Sequence, residues 1–447
     1  MPEDSHQTQK LMDFVHSLEI IPENCCGRLS CMRVCPTQAI RVRNGKAQLD
    51  PVLCIDCGEC IVACPEQAIK SRTDSISDIN RFSYKVAIPS LTLFSQFLPD
   101  ITPADIIDCL KSLGFDDVYL SCIEGELINR AIRDYLTEYK GPYPLISLSC
   151  PVVVRLLQVA YPEMVRQIVP IQSRRDIAAR EMKKTYSKKL GLPEDEIGAI
   201  YITPCPAKMI AIKQPAEQAK GSLDLALGIS EIYNSLLTEI TRNKQKNKTR
   251  DNSENAKLQS RTSLSWALSG GQSLSVKPSR YLIVEQMPNI IKIFDDVEKG
   301  KIRDVEFLEC YACFGGCIGG PLLVDDMFVS RGKLQKLMDN MEDAQDDITN
   351  IVNDRYTKGD YFLKQQIAPR PKPDSQISIE DQIIRMKIKD KIERQLPNID
   401  CGLCGAPTCK EFAKDVGNST AKPNDCVLLS KDRILDLIKE YNLNTSE

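Results

Sequence analysis

The chain has 447 residues, 42% of them hydrophobic and 27% charged, a composition that can bury a real core and that allows about two to four domains. Its 58 basic residues are matched by 61 acidic ones for a formal charge of −3, so no polycationic surface for nucleic acid is expected. No apolar run reaches the roughly 18 residues of a membrane span, and the polar start MPEDSHQTQK lacks a secretory stretch or twin arginine, which points to the cytoplasm.

The chain holds 19 cysteines but only two histidines, His6 and His16, both in a polar lead over residues 1–24. Closely spaced thiols in a reducing compartment read as metal ligands rather than disulfides. Scarce imidazole excludes most zinc, copper, non-haem iron and Rieske chemistry, and leaves no histidine base in the body of the chain. Iron–sulfur chemistry remains.

Residues 25–80 are expected to form a ferredoxin-like α+β module. Cys31-Met-Arg-Val-Cys35-Pro-Thr-Gln-Ala-Ile is repeated further on as Cys60-Ile-Val-Ala-Cys64-Pro-Glu-Gln-Ala-Ile. The second copy, Cys54-x2-Cys57-x2-Cys60-x3-Cys64-Pro, is the run that holds a cubane in bacterial two-cluster ferredoxins, with the fourth cysteine crossing to the other cluster. Cys54, Cys57, Cys60 and Cys35 are therefore expected to bind one [4Fe–4S]; a four-cysteine zinc site is the alternative. In the first copy Arg28 stands where a cysteine is due, and Cys25-Cys26 form an adjacent pair. Cys25, Cys26, Cys31 and Cys64 are assigned to a further [4Fe–4S], a three-iron cluster with one spectator cysteine being the alternative. Arg28 is expected to raise that cluster's potential. Six basic residues against four acidic ones between 25 and 70 give a rim suited to an acidic electron carrier or an acidic domain.

From 81 to 365 short β-branched runs alternate with helical periods, which argues for an α/β fold. Strands are expected at Tyr84–Ile88, Val118–Cys122, Leu145–Leu148, Ala199–Thr203 and Tyr281–Val284, with a turn at Pro89-Ser90 and a helix over Ala104–Leu113. The polar stretch 242–261 reads as an exposed, mobile insertion. Three motifs stand apart here: Ser149-Cys150-Pro151, Thr203-Pro204-Cys205-Pro206-Ala207-Lys208, and Cys310-Tyr-Ala-Cys313-Phe-Gly-Gly-Cys317-Ile-Gly-Gly. The glycines of the last let backbone approach a cofactor closely.

Together these motifs resemble the signatures of the [FeFe]-hydrogenase catalytic domain, from about Lys85 to Asp326. The resemblance implies that Cys150, Cys205, Cys313 and Cys317 bind the [4Fe–4S] half of an H-cluster, with Cys317 bridging to a two-iron subcluster that carries CO, CN and a bridging dithiolate. It implies that Lys208 pairs with one cyanide, that Pro89-Ser90 bind the other, that Ser269-Gly270-Gly271 open a helix packed near the cluster, and that Cys310 does not ligate. Ser149 stands where strongly catalytic members place a proton-relay cysteine, and Thr203 and Tyr311 replace two methionines that touch the subcluster. A thiol with pKa about 8.5 relays protons near neutrality better than a hydroxyl. Glu124 and Glu126 lie in the neighbourhood of the usual relay acids without matching their spacing. This pattern is similar to the sensory branch of the family, which implies slow, reversible 2H⁺ + 2e⁻ ⇌ H2 chemistry serving hydrogen or redox sensing. A high-turnover ferredoxin-linked hydrogenase, a non-catalytic iron–sulfur relay or scaffold, and an activator of a corrinoid enzyme are the alternatives.

A proline-rich linker (366–378) leads to a C-terminal part (379–447), expected to be small and mostly helical. It begins with an amphipathic helix over Ile379–Leu396 that offers a possible dimer contact and is expected to end in a helix near Lys431–Tyr441. Cys401-x2-Cys404-x4-Cys409-x16-Cys426 resembles a small [4Fe–4S] domain of electron-transfer and corrinoid-reducing proteins, a zinc knuckle being the alternative. Full loading would be about 18 irons, with Cys109, Cys122 and Cys310 left as inert buried thiols. The expected partners are H2 and protons, an electron carrier such as ferredoxin, maturation enzymes for the two-iron unit, and a separate signalling protein.

Overall fold

The structure is a computed structural model that describes residues 14–245, 261–339, 341, 354–371 and 377–429. It divides into two compact units, one drawn from Met1–Cys54, Glu59–Lys70 and Arg370–Glu447, the other from Ile55–Gly58 and Ser71–Pro369. No helix among the described residues is long and apolar enough to cross a membrane.

In the first unit the sequence repeat becomes a structural one. Helices Ser30–Val34 and Glu59–Val62 begin at equivalent positions of the two copies, and each copy directs a backbone N–H at its last cysteine, Ala39 to Cys35 Sγ (3.2 Å) and Ala68 to Cys64 Sγ (3.4 Å). The four-cysteine segment near the C-terminus lies in this same unit. Its helix Cys409–Gly417, capped by the Thr408 hydroxyl, packs on helix Ile379–Gln395 around Phe412. The antiparallel pair Ile40–Arg43 and Lys46–Leu49 then meets the segment directly. Val42 donates its N–H to the Gly405 carbonyl (2.9 Å), Arg41 reaches Asp415 (2.7 Å) and Glu411 (2.7 Å), and Arg43 reaches Asp415 (2.5 Å). Two of the arginines read as a rim for an acidic partner are thus taken up by two carboxylates on a helix of the same chain.

The second unit contains two all-parallel sheets. One runs Asp117–Val118, Tyr84–Pro89, Ile197–Thr203, Leu225–Gly228; the other runs Tyr281–Glu285, Phe307–Tyr311, Leu145–Ile146. Ile197–Thr203 is buried along its whole length, as a strand covered on both faces must be. The expected strand over Val118–Cys122 is a correction: only Asp117–Val118 pairs, and Cys122 opens the amphipathic helix Cys122–Glu138. Pro89 belongs to its strand, and Ser90 leads into a 3₁₀ turn over Leu91–Ser95. Helix Ile229–Gln245 runs into the stretch read as an insertion, and residues 246–260 lie outside the described residues, as does Lys431–Tyr441.

The short segment Ile55–Gly58 is built into this second unit. Ile55 and Cys57 pack with Val152, Leu156 and Ala207. Asp56, fully buried, pairs with Arg155 at 3.0 Å, and a Cβ on Gly58 would lie 2.5 Å from Pro321.

Candidate metal centre

The motif residues sit where parallel strands end. Ser90 follows Tyr84–Pro89, Ser149 and Cys150 follow Leu145–Ile146, Cys205 follows Ile197–Thr203, and Cys313 follows Phe307–Tyr311. Ligands of open parallel sheets bind at the carboxyl ends of the strands. Cys150 and Cys205 are also the N-cap residues of helices Pro151–Ala160 and Pro206–Lys213, each with proline in its first turn. Proline loses nothing there, because the first N–H of a helix has no internal acceptor. Each sulfur therefore faces the positive end of a helix, which favours a thiolate.

The Cys150, Cys205 and Cys317 sulfurs are electrostatic neighbours. Burial raises the Cys150 thiol and pushes Cys205 up to about 11; backbone N–H groups of Ala312 and Val153 oppose this at Cys150, and Lys208 opposes it at Cys205. Cys313 shares a loop with Cys317. In that loop Gly316 has φ 92°, and a Cβ would fall 2.5 Å from the Ser269 nitrogen, so only glycine lets the loop pass the Ser269-Gly270-Gly271 turn. Gly316→Ala is expected to cost at least about 1 kcal/mol of stability from the backbone conformation alone, with a lowered Tm and poorer iron retention as the check. Gly271 is equally constrained, since a Cβ there would meet the Ser265 carbonyl oxygen at 2.0 Å.

Lys208 Nζ lies 3.1 Å from Cys317 Sγ. Burial alone would lower the lysine's pKa, but the neighbouring Cys317, Tyr201 and Cys205 outweigh it and hold the ammonium charged. Both residues line a cavity together with Ser90, Ser149, Gln272 and Tyr311. The Ser90 hydroxyl pairs with Thr92 (3.0 Å), and its N–H donates to the Ile202 carbonyl (3.0 Å). Pro89 is buried at its strand end. The Thr203 hydroxyl turns to the Cys205 carbonyl (2.9 Å). Glu124 is buried and held by the Tyr119 hydroxyl (2.6 Å), with burial raising its pKa, and it does not line the cavity.

Sequence reasoning missed the groups behind Ser149. Gln272 Oε1 accepts from the Ser149 hydroxyl (3.2 Å) and from Ser147. Glu309, buried in the strand before Cys313, accepts the N–H groups of Gly270 (3.2 Å), Gln272 (3.2 Å) and Ser273 (2.7 Å) and so fixes the Gly-Gly helix start. Arg174 and Arg175 also line the cavity, although Ser173-Arg-Arg-Asp176 reads in sequence as an ordinary helix start with surface charges.

The other cysteines fall into groups. Cys25, Cys26, Cys31 and Cys64 line one cavity, and Cys401, Cys404, Cys409 and Cys426 line another. Cys60 is pushed up to about 12 by burial, with Cys35 and Cys31 adding to it; Cys54 is buried in the first unit, while Cys57 lies on the segment that belongs to the second. Arg28 is 61% exposed and paired with Glu66 at 2.8 Å, which compensates the charge expected to tune the first cluster. Arg28→Ala is accordingly expected to move that cluster's midpoint by less than about 59 mV, a tenfold ratio for one electron, in an EPR-monitored titration. Cys109, Cys122 and Cys310 are buried.

Two cavities lined by four cysteines each, and a third group in which Cys150 and Cys205 cap helices beside Cys317, are the marks of an iron–sulfur protein. The chain matches the family model for the iron only hydrogenase large subunit, C-terminal domain, over residues 86–281 and 239–321, more than half its length, and belongs to that family. A 4Fe-4S binding domain model matches residues 46–69, and an Fe-S cluster model matches residues 396–428. Iron hydrogenase 1 of Clostridium pasteurianum is 26% identical over 135 residues, covering 28% of this chain and 22% of that protein. Among solved structures, the [FeFe]-hydrogenase HydA1 from Chlamydomonas reinhardtii aligns at 15% identity and TM-score 0.47 over 67% of this chain and 97% of its own. An [FeFe]-hydrogenase solved in a study of oxygen inactivation aligns at 15% identity and TM-score 0.48, over 67% of this chain and 97% of its own.

Proposed function

We propose that the second unit holds an H-cluster and carries out slow, reversible 2H⁺ + 2e⁻ ⇌ H2 chemistry in the service of hydrogen or redox sensing. The observation that carries this reading is the meeting of Cys150, Cys205 and Cys317 beside a cavity that holds a buried ammonium at Lys208 and a hydroxyl at Ser149. The donor set fits: the thiols are half-buried, with Cys150, Cys205 and Cys317 crowded together, and helix starts and Lys208 supply positive charge for an anionic cofactor. Cys150, Cys205, Cys313 and Cys317 would hold the [4Fe–4S] half, Cys317 would bridge to the two-iron half, and the bound group supplies the redox chemistry.

The chain's residues bind, orient and move protons. Lys208, 3.1 Å from the Cys317 sulfur, would offer a charge-assisted donor to an anionic ligand of the bound group. Ser90 lines the same cavity. Ser149 stands at the proton-relay position, but its hydroxyl is donated to Gln272 and releases a proton poorly near neutrality. The remaining cysteine groups would hold three cubanes that pass electrons to or from a carrier such as ferredoxin, with maturation enzymes building the two-iron unit and a separate protein reading the signal.

An infrared spectrum of anaerobically matured protein tests the reading. Bands of iron-bound carbon monoxide and cyanide, with H2 turnover far below that of the Ser149→Cys variant, are expected. Their absence from a protein whose cubanes are all loaded would leave an iron–sulfur relay in its place.

A further inference from the structure

We infer that Arg175 is a second cationic donor to the two-iron unit, acting beside Lys208 and raising the potential of the centre. This rests on the H-cluster reading above. Arg175 is the second residue of helix Arg174–Leu190, whose N-cap is Ser173. It is 9% exposed and lines the cavity shared by Ser149, Lys208 and Cys317. Its Nε is buried without a hydrogen-bond partner. The carboxylate within ion-pair reach, Asp176, is 3.8 Å from its Nη2 and accepts from the Ser173 hydroxyl; Glu217 also feels the guanidinium charge. Arg174, on the same cavity, is differently placed: its Nη1 donates to the Ser263 carbonyl (2.8 Å), and its guanidinium lies 5.3 Å from the centre of the Trp266 ring.

Lys208 feels the charge of Arg175, so two buried cations address one space. Among the described residues the lining of that space holds no carboxylate. Burying like charges together is costly unless an anion with free acceptor atoms joins them. A metal unit with cyanide ligands is such an anion, and a guanidinium presents five donors in a fixed planar fork that suits it. The nearby positive charge favours the more negative, reduced state of the centre.

The test uses the full chain, matured anaerobically, as wild type, Arg175→Gln, Arg175→Lys and Lys184→Gln, the last an exposed charge of the same helix that does not line the cavity, each read by infrared spectroscopy during a redox titration. Arg175→Gln is expected to shift the cyanide bands and to lower the reduced-to-oxidised ratio at fixed potential about tenfold, or 59 mV for one electron. Lys184→Gln is expected to follow wild type, and Arg175→Lys to fall between wild type and Arg175→Gln. Wild-type bands that Arg175→Gln reproduces in position and midpoint overturn the inference and leave the H-cluster standing, as does an equal shift in Lys184→Gln. If Arg175→Gln fails to load, Arg175→Lys decides: displaced cyanide bands support the role, and wild-type bands overturn it. A wild type with no such bands removes the H-cluster and the inference together.

Discussion

Replacing Ser149 by cysteine is expected to raise H2 turnover about a hundredfold, the low end of the range that a positioned proton donor contributes. The side chain lines the cavity with Lys208 and Cys317, so the thiol would stand where the hydroxyl now stands. A thiol with pKa about 8.5 exchanges protons near pH 7, which a serine hydroxyl does not. The surroundings should tolerate the change, because Gln272 Oε1 keeps the Ser147 hydroxyl as a donor when that of Ser149 is lost. Dye-linked H2 uptake and evolution, measured at matched iron content and across pH, give the check. An unchanged rate would show that proton delivery at this position does not limit the chemistry.

The second large effect concerns stability. Asp415→Ala is expected to destabilise the first unit by about 3–5 kcal/mol, the cost of removing one partner from a buried ion pair. Asp415 is 11% exposed at its side chain and takes both Arg41 (2.7 Å) and Arg43 (2.5 Å), which are 16% and 19% exposed. Glu411 would remain on Arg41, but no carboxylate within ion-pair distance would remain for Arg43 among the described residues. The contact also secures a cluster site, since Arg43 donates to the Cys404 carbonyl at 2.5 Å. A lowered Tm, early proteolysis after residue 370 and a loss of about four irons per chain, one cubane's content, are the expected readings. Glu411→Ala, which leaves Asp415 in place, should cost less.

The cysteine repeat was legible because it is written in local spacing: the duplicated motif reappears as paired helices and paired N–H to sulfur contacts. The joining of Cys150, Cys205 and Cys317 was not legible from spacing, because the strands that bring them together are paired at long range; the family resemblance alone suggested it. The α/β class followed from alternation, yet Val118–Cys122 was misread as one strand because a β-branched and aromatic run does not reveal where pairing stops. Arg175, Gln272 and Glu309 escaped for a different reason. Each is an ordinary polar residue whose meaning comes from burial, and burial of a polar group leaves no periodic mark. Arg41 and Arg43 read as part of a basic rim, and nothing in the composition says that Glu411 and Asp415, near the far end of the same chain, take them up.

The segment Ile55–Gly58 bears on how this protein can be cut down. Its side chains act as a plug in the hydrogenase-like body: Ile55 and Cys57 fill space against the helix that starts at Cys150, and Asp56 neutralises Arg155 on that helix. Trimming the chain back to Ser71 would open a void and take a counter-ion from the helix that Cys150 caps. A shortened version should therefore need an apolar replacement at Arg155 before it folds well.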